Sequence, residues 1–201
     1  MRLFFVRHGE SEDDVEDCYG GIADFPLTAK GRDQAVAVAR RLHSAEAQIV
    51  YTSPLSRALE TATLIASTLS LGSPIVIDDL QERNTYGVLS GVNKTRAEQV
   101  FRRILASLPE KPGYSKQTIL GGEDYDSFVA RIQRAIESLS GLAIRDNISR
   151  AIVVTHGKFT QALFERVFRL GADVLPNLGD INVVDFEPQS IRLVSDAMPS
   201  A

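Results

Sequence analysis

The sequence predicts an α/β fold, a three-layer α/β/α sandwich with a mostly parallel central sheet and a small inserted cap region. Short apolar runs alternate with longer stretches in which apolar residues recur at helical spacing, the pattern of parallel strands joined by crossover helices. The runs are apolar throughout, as in strands covered on both faces. Two of them end alike, Leu3-Phe4-Phe5-Val6-Arg7-His8-Gly9 and Ala151-Ile152-Val153-Val154-Thr155-His156-Gly157. Open α/β sheets build ligand sites at the carboxyl ends of their strands. One histidine in that setting is as often structural as functional; two, with an adjacent arginine, point to a site.

Taken in order, the first strand gives way to Glu10-Ser11-Glu12-Asp13-Asp14-Val15-Glu16-Asp17, an acidic run read as loop through Gly20, Gly21 and Pro26. Thr28 is placed to cap a helix over Ala29 to Leu42, whose Ala35, Val38, Ala39 and Leu42 share one face. Ala47 to Tyr51 reads as the second strand, and Thr52-Ser53-Pro54 as the opening of a helix that ends near Gly72. A short third strand over Pro74 to Ile77 precedes a polar loop, Asp78 to Gly91, that holds Glu82 and Arg83. Helical spacing resumes from Lys94 to Leu108; the Pro- and Gly-rich stretch Leu108 to Gly122 reads as an irregular excursion over the site. A helix over Glu123 to Leu142, the strand ending at His156, a helix over Phe159 to Leu170 and a closing hairpin (Asn182 to Phe186, Ile191 to Val194) complete the chain. Residues 1–201 are expected to form one domain, with a cap at about 91–122.

Composition narrows the classes of function. At 44% hydrophobic and 24% charged, the chain has a globular make-up. A net charge of −4 without a basic stripe argues against nucleic-acid binding. No apolar run is long enough to span a membrane, and the start lacks the apolar core of a signal peptide. The single cysteine, Cys18, fits a reducing compartment, so a cytoplasmic location is expected. Its acidic neighbours would raise its pKa, which disfavours a nucleophilic role. Oligomeric state is left open.

Arg7, His8, His156 and an Arg57 one turn into a helix make a cationic, donor-rich pocket suited to a tetrahedral, multiply charged anion. Alone, Arg57 would read as a surface ion pair with Glu60 or Asp33. With no Walker-type glycine loop and no convincing His/Cys/Asp cluster, neither metal nor cofactor is expected.

The run Leu3 to Ser11 resembles the signature of the histidine phosphatase superfamily, the phosphoglycerate-mutase-like proteins. The likeness continues through Pro26-Leu27-Thr28, Gly31, Gln34-Ala35, Ser53-Pro54-Leu55-Ser56-Arg57-Ala58, Thr61-Ala62, Glu82, Gly121-Gly122-Glu123 and Val153 to Gly157, in the family's order over nearly the whole chain. It implies that His8 is the nucleophile that forms a phosphohistidine, and that Arg7, Arg57 and His156 hold the phosphate. Glu82 would act as general acid and then base, with Glu123 and the acidic loop as competing carboxylates. Ser11, Asp14, Lys94 and Gly157 are further candidates for substrate or phosphate binding. Asp14 departs from the pattern, which usually has Asn there; a carboxylate would repel phosphate unless protonated, paired with an arginine or turned away. If the acidic residues line the entrance, they disfavour polyanionic substrates.

The favoured expectation is a metal-independent phosphatase acting on a small phosphorylated substrate, with a phosphoprotein also compatible. The segment Glu82 to Lys94 resembles that of cofactor-dependent phosphoglycerate mutases ending in Gly-Leu-Asn-Lys, with one extra residue after Asn84. Arg102-Arg103 could stand for that group's arginine pair only across a sizeable deletion. A mutase is thus the alternative, followed by a binding module without turnover.

Overall fold

The computed structural model describes residues 1–106, 119–170, 177–187 and 190–194. Six strands, β1 (Arg2–Arg7), β2 (Ile49–Thr52), β3 (Ile75–Val76), β4 (Arg150–Thr155), β5 (Ile181–Glu187) and β6 (Ser190–Val194), form one sheet in the order β3-β2-β4-β1-β5-β6. The first four in that order run parallel; β5 runs antiparallel to β1 and to β6. The mostly parallel α/β sheet expected from the alternating pattern is therefore the fold.

The apolar runs are explained by burial on both faces. Phe4 and Val6 of β1 point to a layer made by α2 (Ala29–Arg41) and α3 (Ser56–Thr68), where they meet Val38, Ala39, Ala58, Ala62 and Ile65. Leu3 and Phe5 point to the opposite layer, built from α6 (Tyr125–Arg145) and α7 (Gly157–Ala162), among Phe128, Ile132, Leu139, Phe159 and Phe164. Adjacent residues thus fill different cores, the period-2 geometry of a strand. Truncating Phe5, fully buried with its ring edge-on to Phe164 at 6.2 Å, would cost about 3–5 kcal/mol.

Several boundaries differ from expectation for local reasons. The acidic run contains a helical turn, α1 (Glu12–Val15): the Asp14 carboxylate accepts the Ser11 N–H at 3.0 Å, and Ser11 pairs with Leu27 across an isolated bridge. Thr28 caps α2 as expected, accepting the Gly31 N–H at 3.0 Å. Helix α3 begins at Ser56 rather than Pro54, because Asp24 takes the Ser56 N–H and hydroxyl at 2.6 and 2.9 Å. The helix expected over Lys94 to Leu108 breaks into α4 (Lys94–Val100) and α5 (Arg102–Leu105). The last helix starts earlier than expected, at Gly157, and widens into a π turn over Leu163–Val167 that lets Phe164 and Phe168 both meet Phe5.

A small separate core of Leu89, Ala97 and Ile119, joined by Tyr19, Tyr86, Val92 and Phe101, gathers part of the 91–122 region. Residues 107–118 of the expected cap lie outside the described residues. Among the described residues no helix is long and apolar enough to cross a membrane.

Candidate active site

β1 and β4 are neighbours in register, Arg7 opposite Thr155, so the residues that follow them, His8 and His156, leave the sheet side by side with ring centroids 5.0 Å apart. The ladder extends one residue further, His8 N–H donating to the Thr155 carbonyl at 3.1 Å. Beyond it, Gly9 and Gly31 let the first turn of α2 lie directly on the strand exit: a Cβ on Gly9 would sit 2.4 Å from the Gly31 carbonyl oxygen. The Gly9 N–H donates to Thr61 Oγ1, which in turn donates to the Arg57 carbonyl, tying this corner to α3.

The partners of His8 settle its tautomer. Nδ1 lies 2.7 Å from the Gly9 carbonyl oxygen, which can only accept, so Nδ1 carries the proton. Nε2 keeps its lone pair and accepts from Arg57 Nε at 3.3 Å. Burial, then the adjacent Arg57 and Arg7 charges, hold this imidazole well below its usual range, against the Gly9 hydrogen bond. His8 is a buried, neutral base with its unprotonated nitrogen against a guanidinium.

Arg57 is itself 2% exposed; its other two nitrogens donate to the Ala23 and Gly21 carbonyls at 2.8 Å, so the fork is fixed in direction. Arg7 lies over Gly157, where a Cβ would come within 3.2 Å of the guanidinium carbon. Gly157 therefore makes room for Arg7. His156 is fully buried: Nε2 is 2.8 Å from Ser53 Oγ, and Nδ1 has no partner among the described residues. Burial and then Arg57 hold it, too, well below the usual imidazole value.

Glu82 sits at the amino end of α7. Its carboxylate accepts the backbone N–H groups of Lys158 and Phe159, both at 3.1 Å, and of Arg83 at 2.9 Å. Glu123, the competing carboxylate, is engaged elsewhere: Arg131 donates to both of its oxygens at 2.8 and 2.7 Å.

A cavity of about 250 Å³ is lined by Arg7, His8, Asp13, Asp14, Cys18, Gly20, Gly21, Arg57, Glu82, Tyr86 and Lys94. Of the residues singled out in the sequence, Arg7, His8, Asp14, Arg57, Glu82 and Lys94 come together on this wall. His156 and Gly157 stand behind it, against His8 and Arg7. Ser11 is not brought to the wall: it is fully buried, and its hydroxyl faces Asp13 at 2.6 Å and Asp14 at 3.2 Å. Arg102 and Arg103 also lie off it, exposed on α5. Asp14 is neither turned away nor hydrogen-bonded to an arginine; it lines the cavity while serving the Ser11 backbone. Lys94 donates to Asp17. The Cys18 thiol is pushed up by burial and by Glu16, Asp13 and Asp17.

Sequence reading missed Tyr86 on the wall, Ser53 as the partner of His156, and Arg131; of the acidic residues considered for the entrance, Asp13 joins Asp14 in the lining. A larger cavity, about 440 Å³, opens at the amino ends of β1 and β4, lined by Met1, Ile144, Ile148 and Phe186 among others, with no acidic or basic side chain. The charged and titratable side chains gather at the smaller one. Among the described residues no group of three or more His, Cys, Asp or Glu side chains could hold a metal ion.

The structure is thus an α/β sandwich whose adjacent central strands end in paired histidines beside a cavity lined by Arg7 and Arg57. Residues 3–197 match the histidine phosphatase superfamily, branch 1, and the chain belongs to that family. It is 32% identical over 194 residues to a metal-independent phosphoserine phosphatase of Arabidopsis thaliana, covering 93% of this chain and 77% of that one. It is 31% identical over 175 residues to a Salmonella paratyphi A protein named probable phosphoglycerate mutase GpmB, covering 86% and 77%. The structure of an alpha-ribazole phosphatase from Shigella flexneri superposes with a TM-score of 0.82 at 25% identity, covering 96% of this chain and 95% of that one. The family membership and these relatives support a phosphatase or mutase activity.

Proposed function

We propose that this protein is a metal-independent phosphatase that hydrolyses small phosphomonoesters through a phosphohistidine on His8. The observation that carries the reading is the state of His8: a buried, neutral imidazole with Nδ1 committed to the Gly9 carbonyl and Nε2 unprotonated against the Arg57 guanidinium. Nε2 attacks phosphorus as the P–O bond to the alcohol breaks, and Glu82 in its protonated form supplies the proton to the departing oxygen. Arg7, Arg57 and His156 hold the equatorial oxygens, with the unpartnered Nδ1 of His156 as one donor. Glu82, now ionised, takes a proton from water, which attacks phosphorus; the P–N bond breaks, releasing phosphate and neutral His8.

A phosphoglycerate mutase is the second reading, favoured by the GpmB relative and by Lys94 on the wall. The carboxylates of Asp13 and Asp14 on the same wall speak against it, since they disfavour the polyanions a mutase must retain. The relative named a phosphoserine phosphatase supports hydrolysis.

The test is a chelator-treated reaction on aryl, sugar, amino-acid and glycerate phosphates, followed for both released phosphate and isomerised product. An acid-labile, alkali-stable phosphoprotein mapping to His8, with phosphate released, is expected. Isomerisation without release would hand the activity to the mutase reading, and a phosphoprotein at another residue would overturn the role of His8.

A further inference from the structure

Glu82 stands on a segment that no sheet pairs. It follows the short 3-10 turn Asp78–Leu80 and leads into a loop, yet four consecutive carbonyls, Asp79 to Glu82, all accept hydrogen bonds from side-chain donors. Thr155 Oγ1 donates to Leu80 O at 2.8 Å. The other three are taken by one guanidinium. Arg131 Nη1 donates to Asp79 O at 2.9 Å and to Gln81 O at 2.8 Å, and Nη2 to Glu82 O at 3.2 Å. Its remaining two N–H groups, on Nε and Nη2, go to the two oxygens of Glu123.

All five donors of Arg131 are therefore spent, three on the backbone that carries Glu82 and two on a carboxylate that fixes the fork. The pair is largely buried, its side chains 13% and 19% exposed, and the guanidinium lies over the Phe128 ring at 5.1 Å. Burying such a pair is rarely a source of stability in itself, since desolvation offsets most of the attraction. What it supplies is direction. A lysine, with three donors on a flexible stem, could not reproduce the arrangement.

We infer that Arg131, oriented by Glu123, is a positioning residue for Glu82: it holds the acid's backbone while the amino end of α7 holds its carboxylate. It does not itself line the cavity and acts only through the backbone of the segment that carries Glu82. The inference rests on the assignment of Glu82 as proton donor. Displacing that segment by a fraction of an ångström would take the proton out of line with the departing oxygen, which matters most where the leaving group is poor.

The experiment is rapid-quench measurement of His8 phosphorylation in a single turnover, across esters from a nitrophenyl phosphate to phenyl and alkyl phosphates. In Glu82→Gln, the dependence on leaving-group pKa should steepen. Arg131→Met should reproduce that steepening, slowing the alkyl ester about 10- to 100-fold and the nitrophenyl ester less than about threefold. Arg134→Met, which removes the surface pair with the Asp79 side chain, should leave the dependence unchanged. Because Arg131→Met leaves Glu123 buried without its partner, the double variant Arg131→Met/Glu123→Gln carries the same measurement if the single one fails to fold. A steep slope in Glu82→Gln with an equal loss for every ester, or no loss, in the Arg131 variants would overturn the positioning role alone. An unchanged slope in Glu82→Gln would overturn the assignment of Glu82 and this inference with it.

Discussion

The two strand ends that deliver His8 and His156 are written almost alike and are held in opposite ways. His8 spends Nδ1 on the adjacent carbonyl and turns Nε2 toward Arg57 on the cavity wall; His156 spends Nε2 on Ser53 and leaves Nδ1 without a partner among the described residues. One is 5% exposed and lines the cavity, the other is fully buried behind it. The same apolar run followed by His-Gly therefore yields one ring on the cavity wall and one buried behind it. The difference lies in what the rest of the fold offers each imidazole, a carbonyl on one side and a hydroxyl on the other.

The most direct way to break this comparison is to remove each ring. His8→Ala should lower turnover by about 10⁴-fold or more, with no phosphoprotein formed. His156→Ala should cost about 10²- to 10³-fold while the phosphoprotein still accumulates, the signature of a lost donor. Equal losses, or an abolished phosphoprotein in both, would erase the distinction. Stability against pH comes next. Both imidazoles sit well below their unfolded value, so the unfolded chain takes up protons that the folded chain refuses as pH falls below about 6.5. Their contribution is complete above that pH and declines below it, by up to about 1.4 kcal/mol per pH unit for each ring. Melting temperature should thus fall between pH 7 and 5.5, and either alanine variant should flatten the fall; parallel profiles would show that the rings titrate normally. The smallest effect sharpens the contrast. Ser53→Ala should slow turnover only about 3- to 10-fold, the worth of one hydrogen bond, and leave phosphorylation of His8 as the first step. A loss as deep as that of His156→Ala would mean that Ser53 does more than orient the ring.

The parts of the molecule that were legible in the sequence are those set by local pattern. Leu3 to Val6 and Ala151 to Val154 had to be buried strands because every residue is apolar, and Thr28 had to cap a helix because its hydroxyl precedes an amphipathic run. The gathering of Arg7, His8, Arg57 and Glu82 on one wall follows from strand ends, a helix start and the family likeness. What was not legible depends on partners distant in the chain. Ser53 reads as a helix opener, and only the structure sets it against a histidine 103 residues away. Arg131 reads as one more polar residue on a helix, and its work is with carbonyls about 50 residues earlier. The acidic run looked like solvated loop because charge density hides a capped turn; there, Asp14 and Ser11 satisfy each other's backbone while Asp13 and Asp14 face the cavity.

The order of strands has a consequence for how the molecule is made. β1 precedes the other strands in the chain, but among the described residues its partners in the sheet are β4 and β5, which begin at Arg150 and Ile181. Until those are made a run of bulky apolar residues waits with both edges open, a liability for aggregation and a reason for slow folding. In the folded sheet β4 lies between β1 and β2, so the pairing that joins the two halves of the parallel sheet is also the one that sets His156 beside His8. A nascent or refolding chain should gain its chemistry only as the centre of its sheet closes.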